Sequence, residues 1–369
     1  MSSLDALALA NSVAAGLRAY DPGHDLATLR SRFGPVLAEL GANENPDGPG
    51  PAAREAMQRA LREVHRYPDP RAAALRERLA NELGIAGEEL AFGNGSHELL
   101  MLLAQCFAGP KQAVMYSRHA FAVFALAARA AGAPAVCVDA LPADDAAAPF
   151  GHDLRSMAGA ITPELRLVYL ANPNNPTGTW FEQDALEDFL GKLPADVLVV
   201  VDEAYAEYFQ LEGGCSALEL RARFPNLIVT RTFSKAHALA GLRIGYLVAD
   251  ASVCRVLESL RESFNVGVVA QAAAAASLDD GDWLQASVAR NRTERQRLAR
   301  ELARLGFPSL PSRANFLLVD CRGDAGMLEG RLIDAGVVAR PLAGYGFPGH
   351  LRISVGSHAE NNRLLEVLA

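Results

Sequence analysis

A chain of 369 residues is too long for one compact core and suits two domains. Half of it is apolar and 21% is charged, the balance of an ordinary soluble protein. A formal net charge of −8 argues against a nucleic-acid partner, because phosphate backbones are bound by positive stripes.

The N-terminal "MSSLDALALANSVAAGL" carries Asp5 where an export signal would carry positive charge, so it reads as an amphipathic arm. "GNGSHELL" (93–100) puts glycines and a serine ahead of a helix-like run. The strand candidates follow: "AVMY" (113–116), "AVCV" (135–138), "LRLVYL" (165–170), "VLVVV" (197–201), "LIVT" (227–230) and "IGYLVA" (244–249). Apolar runs without polar alternation suit strands buried on both faces of a parallel sheet. "ALAARAAGA" and "EQDALEDFLGKL" supply crossover helices, giving an α/β, doubly wound pattern with ligands beyond the strands' C-terminal ends. Past about residue 255 an Ala- and Arg-rich helical region runs to about 305. In it "RNRTERQRLAR" (290–300) reads as a solvated helix face, and "QAAAAAS" (271–277) as plain helix. "NFLLVD" (315–320) and "HLRISV" (350–355) then flank a helix in a smaller α+β unit. The expected division is an arm and part of the small domain over 1–45, a large domain over 46–255 and a small domain over 256–369. No apolar run approaches the length needed to cross a bilayer. The five cysteines, Cys106, Cys137, Cys215, Cys254 and Cys321, form no Cys-x-x-Cys pair, so no zinc framework is expected and the cytoplasm is the default.

Lys235, in "RTFSKAHALAGLRIGY" (231–246), is one of three lysines, with Lys111 and Lys192, in an arginine-rich chain. An amine can give up its proton and attack a carbonyl; a guanidinium cannot. "VLVVVDEAY" (197–205) ends an apolar strand in Asp202 and Glu203, which also describes the magnesium-binding strand of P-loop ATPases. That reading fails, because none of the three lysines follows the glycines it requires. "GNGSHELL" can form a phosphate cradle at a helix start, although taken alone it reads more readily as a glycine turn with Ser96 as N-cap. "NPNNPTG" (172–178) is a rigid connection or a set of amide donors at a strand's C-terminal end. Each piece alone has an ordinary alternative. Together, an amine, an acid, amide donors and a phosphate cradle, with Ser234 and Arg243 beside Lys235, describe a site for pyridoxal 5'-phosphate. That cofactor needs an amine for its aldehyde and an anion for its ring nitrogen.

"NPNNPTG", "DEAY", "RTFSKAHALAGLRIGY" and "LRISVG", in that order, resemble the fold type I aminotransferases, specifically the histidinol-phosphate aminotransferase branch; "ELGANENPDGPGP" (39–51) and "RYPDP" (66–70) resemble its N-terminal signatures. The likeness runs from about "AYDPG" (19–23) to the C-terminus. It implies a large domain with a mainly parallel mixed sheet between helices, plus a smaller α+β domain. It implies that Lys235 holds the cofactor and then moves the substrate proton, that Asp202 pairs with the ring nitrogen, and that Tyr205 and Asn175 donate to the ring oxygen. Phe121 would stack on the ring or, with nearly equal weight, be a core phenylalanine. Ser96 and His97 would meet the phosphate through the backbone, with Ser234 and Arg243 opposite. Tyr67 would reach the phosphate in a neighbouring subunit, which makes a homodimer part of the site. Arg352 would grip the donor's carboxylate and Arg340 would add a second cation, while Tyr20 and Asn43 close over the substrate. No metal is implied.

Two positions depart from the branch's pattern. His97 stands where Asp or Asn is usual, and His237-Ala238 replaces Phe-Gly; His237 is expected to be a packing variant. The implied reaction moves an amino group between glutamate and imidazole acetol phosphate, with an aromatic amino acid aminotransferase as the alternative and a threonine-phosphate decarboxylase further off. A cofactor-binding transcriptional sensor would carry an added DNA-binding domain, and only a short arm precedes "AYDPG".

Overall fold

A computed structural model describes residues 5–17 and 24–369. Twelve strands are seen among the described residues: β1 Ala38–Glu39, β2 Leu90–Gly93, β3 Ala113–Ser117, β4 Ala135–Val138, β5 Leu165–Ala171, β6 Leu198–Asp202, β7 Leu227–Thr232, β8 Gly245–Val248, β9 Phe316–Asp320, β10 Val337–Val338, β11 Arg340–Leu342 and β12 Phe347–Ser354. Seven of them form one sheet in the order β2-β8-β7-β6-β5-β3-β4. Neighbours from β7 to β4 are parallel, whereas β8 runs antiparallel to β7 and to β2. The sheet is thus mainly parallel and mixed, in an α/β layering.

Strand alternation divides the core between the two faces. On β5, Leu167 and Tyr169 pack with Leu99, Leu103 and Phe124 of the helices Ser96–Phe107 and Ala122–Ala130. Val168 and Leu170 point the other way, onto Leu186 and Phe189 of the helix Gln183–Leu190. The apolar runs therefore read correctly as strands covered on both sides. β4 is the exception: "AVCV" lies at the sheet edge and its residues alternate between exposed and half-buried. β2 was not expected from the sequence; "LAFG" is four residues long and runs straight into the turn glycines.

A second, three-stranded antiparallel sheet has the order β11-β12-β9. It packs with the helices Gly281–Arg304, Ala325–Asp334 and His358–Leu368 around Leu317, Ile353, Leu302 and Leu364. The last of these helices begins in a capping box, Ser357 with Glu360. β1 pairs in parallel with β10, tying the segment before residue 45 to this unit. The helix Val268–Ser277 packs instead on the helices Pro51–Ala60 and Ala73–Leu83, where small alanines such as Ala53 and Ala273 allow close approach. It therefore packs with the large sheet, although it follows residue 255. Asp280 fixes this contact by accepting from the amides of Ala52 and Ala53 at 2.9 and 3.0 Å.

One expectation is corrected within "RNRTERQRLAR". Arg295 is buried, donating to Ala314 O at 3.0 Å and pairing with Glu212, so this stretch is not wholly a solvated face. No described helix is long and apolar enough to cross a membrane.

Candidate active site

Three adjacent parallel strands place the chemistry. Ala171 at the end of β5 lies opposite Asp202 at the end of β6, and Asp202 lies opposite Thr230 of β7. The segments "NPNNPTG", "DEAY" and "FSK" therefore leave from neighbouring C-terminal ends, where open α/β sheets bind ligands. They border a cavity of about 610 Å³, closed from the other side by residues 41–44 and by β11 and β12.

Lys235 lines this cavity and its Nζ donates to Ala42 O at 3.1 Å. Burial, then the positive field of Arg352 and Arg243, lowers its pKa to about 8, against the opposing pull of Glu44 and Asp202. Asp202 is 4% exposed and accepts from Thr230 Oγ1 at 2.8 Å. Burial pushes its carboxyl up to about 7, although the Thr230 bond and Lys235 pull the other way. Tyr205 is also buried, and its hydroxyl accepts from Asn43 Nδ2 at 2.9 Å, leaving its own proton to donate. Burial raises its pKa to about 12.

A corner of the cavity is lined by backbone. β2 turns through Gly95, at φ +79°, into the helix beginning at Ser96. Gly245 backs this turn so closely that a Cβ there would sit 2.6 Å from Ser96 N. Arg243 closes the corner, reaching Ser234 Oγ at 3.4 Å and Asn94 O at 3.3 Å. Helix-start amides, a hydroxyl and a guanidinium around one point suit a phosphate. His97 lines the same cavity, its pKa lowered by burial and then by Arg243. Phe121, half-buried, stands on the wall just before the helix Ala122–Ala130, edge-on to Phe124 at 6.0 Å.

At the other end, Arg340 of β11 lies directly opposite Arg352 of β12. Arg352 is 8% exposed and donates to Asn175 Oδ1 at 2.8 Å and Gly41 O at 2.7 Å. Asn43, at φ +56°, is held by Ser354 Oγ, which accepts from its amide at 2.7 Å, and by Asn315, which donates to its carbonyl at 3.0 Å.

Among the described residues, the cavity thus gathers every one expected at the site except Tyr67. Tyr67 is outside it: the side chain is 84% exposed and its ring stacks on Phe264 at 4.8 Å. Tyr20 lies outside the described residues. His237 does not line the cavity; it is buried against the Phe233 ring at 4.9 Å, and burial drops its pKa to about 4. Thr230, Ser354, Asn315 and Tyr345 escaped the sequence reading. Thr230 and Ser354 carried a usable signal, each being a hydroxyl at or near the C-terminal end of a strand. Asn315 and Tyr345 carried none.

A sheet with a lysine, an acid and a phosphate corner at its strand ends is the arrangement of an amino-group-transferring enzyme, and residues 36–368 match the family described as aminotransferase class I and II. The chain belongs to that family. Within it, the chain is 45% identical to the histidinol-phosphate aminotransferase of Methylobacillus flagellatus, over 95% of this chain and 93% of the relative. It is 43% identical to histidinol-phosphate aminotransferase 2 of Pseudomonas aeruginosa, over 99% and 98%. The crystal structure of the Sinorhizobium meliloti histidinol-phosphate aminotransferase in complex with pyridoxal 5'-phosphate superimposes with a TM-score of 0.85 at 31% identity, covering 97% of this chain and 96% of that one.

Proposed function

We propose that the protein is a pyridoxal 5'-phosphate-dependent histidinol-phosphate aminotransferase, passing an amino group between histidinol phosphate and 2-oxoglutarate, and that it works as a cytoplasmic homodimer. The observation that carries the reading is the meeting of Lys235, Asp202 and the Arg340–Arg352 pair around one cavity. Free cysteines throughout agree with a reducing compartment.

The residues fit the cofactor. Asp202 is a buried acid that gains from a cationic ring nitrogen beside it, since burial otherwise favours its protonated form. The backbone-lined corner at Gly95, Ser96 and Gly245 accepts a phosphate without a side chain in the way. Bound there, the cofactor would supply an electron sink for the substrate's Cα–H bond. The chain's own residues do the rest. Lys235, whose amine pKa burial lowers to about 8, would take the proton from the substrate's Cα and pass it on rather than return it there. Tyr205 and Asn175 donate to the ring oxygen: the tyrosine hydroxyl and the asparagine carbonyl are already accepting, from Asn43 and Arg352, so their own hydrogens remain to give. Ser96, His97, Ser234 and Arg243 hold the phosphate, and Phe121 covers the ring. Arg352 and Arg340 take the carboxylate of glutamate and the phosphate of histidinol phosphate in turn, a task suited to planar guanidiniums. Asn43 and Tyr20 close over the substrate, and Tyr67 reaches across the dimer. The division into two domains belongs to the same proposal, with the changeover near Asp280 favoured by the packing of Val268–Ser277.

Leu26, Val123 and Leu126 form an apolar stretch of the cavity wall that would also take an aromatic ring, which favours an aromatic amino acid aminotransferase as the second reading. Pyridoxamine-loaded protein offered imidazole acetol phosphate, phenylpyruvate and 2-oxoglutarate separates the two. A specificity constant highest for imidazole acetol phosphate supports the first reading, and a phenylpyruvate preference the second. Loss of glutamate half-transamination in Lys235→Ala is expected of both.

A further inference from the structure

β11 and β12 form a hairpin whose tip, Ala343–Gly346, reaches the cavity wall through Tyr345. The hairpin carries Arg340 and Arg352, whereas Lys235, Asp202 and the phosphate corner belong to the other sheet. A device that fixes one relative to the other would set how well the arginines meet a substrate anion.

His119 stands where such a device must act. It follows β3 by two residues and precedes Phe121 by two, so its backbone belongs to the large-sheet side. Its own carbonyl accepts from Asn174 Nδ2, in "NPNNPTG", at 3.0 Å. Its ring crosses to the hairpin. Nδ1 lies 2.7 Å from Tyr345 O, and since a carbonyl only accepts, Nδ1 carries the proton. The ring lies on Phe347 at 4.2 Å and meets Phe150 edge-on at 5.6 Å. The approach leaves no slack: a Cβ on Gly346 would come 2.9 Å from His119 Cε1. The backbone is held at φ +60°, a left-handed conformation that histidine tolerates better than most side chains but still at a cost. That strain, the tight glycine and the bond to a cavity-lining residue meet at one side chain.

We infer that His119 is a positioning residue that clips the arginine-bearing hairpin to the cofactor half of the site, so that it governs substrate affinity without touching substrate. The inference rests on the function proposed above. It makes His119 different from a packing residue in one respect: its loss should loosen anion binding while the lysine and phosphate ends stay intact.

The test compares wild-type holoenzyme with His119→Ala and His119→Asn. Asparagine tolerates positive φ and places an amide donor near the position of Nδ1. The readings are the dissociation constant of glutarate, a dicarboxylate that cannot react, followed through the cofactor's visible spectrum; the split of KM and kcat for glutamate; and amide hydrogen exchange over 340–354. We expect His119→Ala to weaken glutarate about tenfold, with a matching rise in KM, kcat within about threefold of wild type and faster exchange at the hairpin tip. His119→Asn should recover most of the affinity. Wild-type affinity and exchange in His119→Ala would overturn the clip. So would parallel loss of kcat and bound cofactor in both variants, which would mark a residue needed only for folding. If wild-type protein itself fails to bind glutarate, the two-arginine reading falls and the clip's purpose falls with it.

Discussion

Arg352 donates to Asn175 Oδ1 at 2.8 Å, so the arginine expected to hold the substrate and the amide expected to hold the cofactor are one hydrogen-bonded unit. The same guanidinium reaches Gly41 O at 2.7 Å, adding the arm segment to the unit. A lysine offers a single ammonium on a flexible stem and cannot serve these two acceptors and a carboxylate together. Arg352→Lys should keep its cofactor, judged by visible absorbance, and lose about a hundredfold in kcat/KM for glutamate in steady-state assays. Wild-type kcat/KM would remove Arg352 from the substrate site.

Asp202 makes a prediction in cofactor-free protein. Its folded pKa is raised to about 7 from an ordinary 3.8 by burial, so between those values the folded state keeps a proton that the unfolded state has lost. Stability from this group therefore falls as pH rises through that window and stays reduced above it. Asp202→Asn has no such charge to bury. Its melting temperature should exceed that of wild type by several degrees at pH 8, and the gap should close toward pH 4. A gap independent of pH would contradict the burial argument.

The phosphate corner is testable at Gly245, where a Cβ would lie 2.6 Å from Ser96 N and 2.8 Å from Arg231 O. Both neighbours are backbone and cannot swing away. Gly245→Ala should push the turn into the corner and weaken cofactor binding by tenfold or more, measured by titrating cofactor-free protein with pyridoxal 5'-phosphate. Unchanged affinity would place the phosphate elsewhere.

Tyr67 gives a prediction about assembly. It is 84% exposed and stacked on Phe264, and the proposed dimer would set it against the neighbouring site. Tyr67→Ala and Lys235→Ala homodimers should both be impaired. Mixing them should restore activity, because each heterodimer holds one site free of both substitutions. No recovery after verified subunit exchange would count against a shared site.

The strands were legible because buried parallel strands are written as unbroken apolar runs; "LRLVYL" and "VLVVV" fall within a residue of β5 and β6. The site's main residues were legible because they sit on the loops that leave those strands, and each loop keeps its chemistry within a few positions. What was missed depends on contacts between distant segments. Arg295 looks like surface charge until Glu212 meets it. Asn315 supports Asn43 from 272 residues away, and His119 reaches Tyr345 across 226. β2 was hidden for another reason, since its four residues end in the glycines that make the turn.

The central claim is that Lys235 carries the cofactor, and three lysines make it decidable in one measurement. Protein reconstituted with pyridoxal 5'-phosphate is reduced with borohydride across a pH series, digested, and analysed by peptide mass spectrometry. The account predicts the fixed pyridoxyl group on Lys235, with labelling of the cofactor-free protein by brief exposure rising around pH 8, where burial and the two arginines set the amine's pKa. A label on Lys111 or Lys192, or no label in fully reconstituted protein, would contradict it.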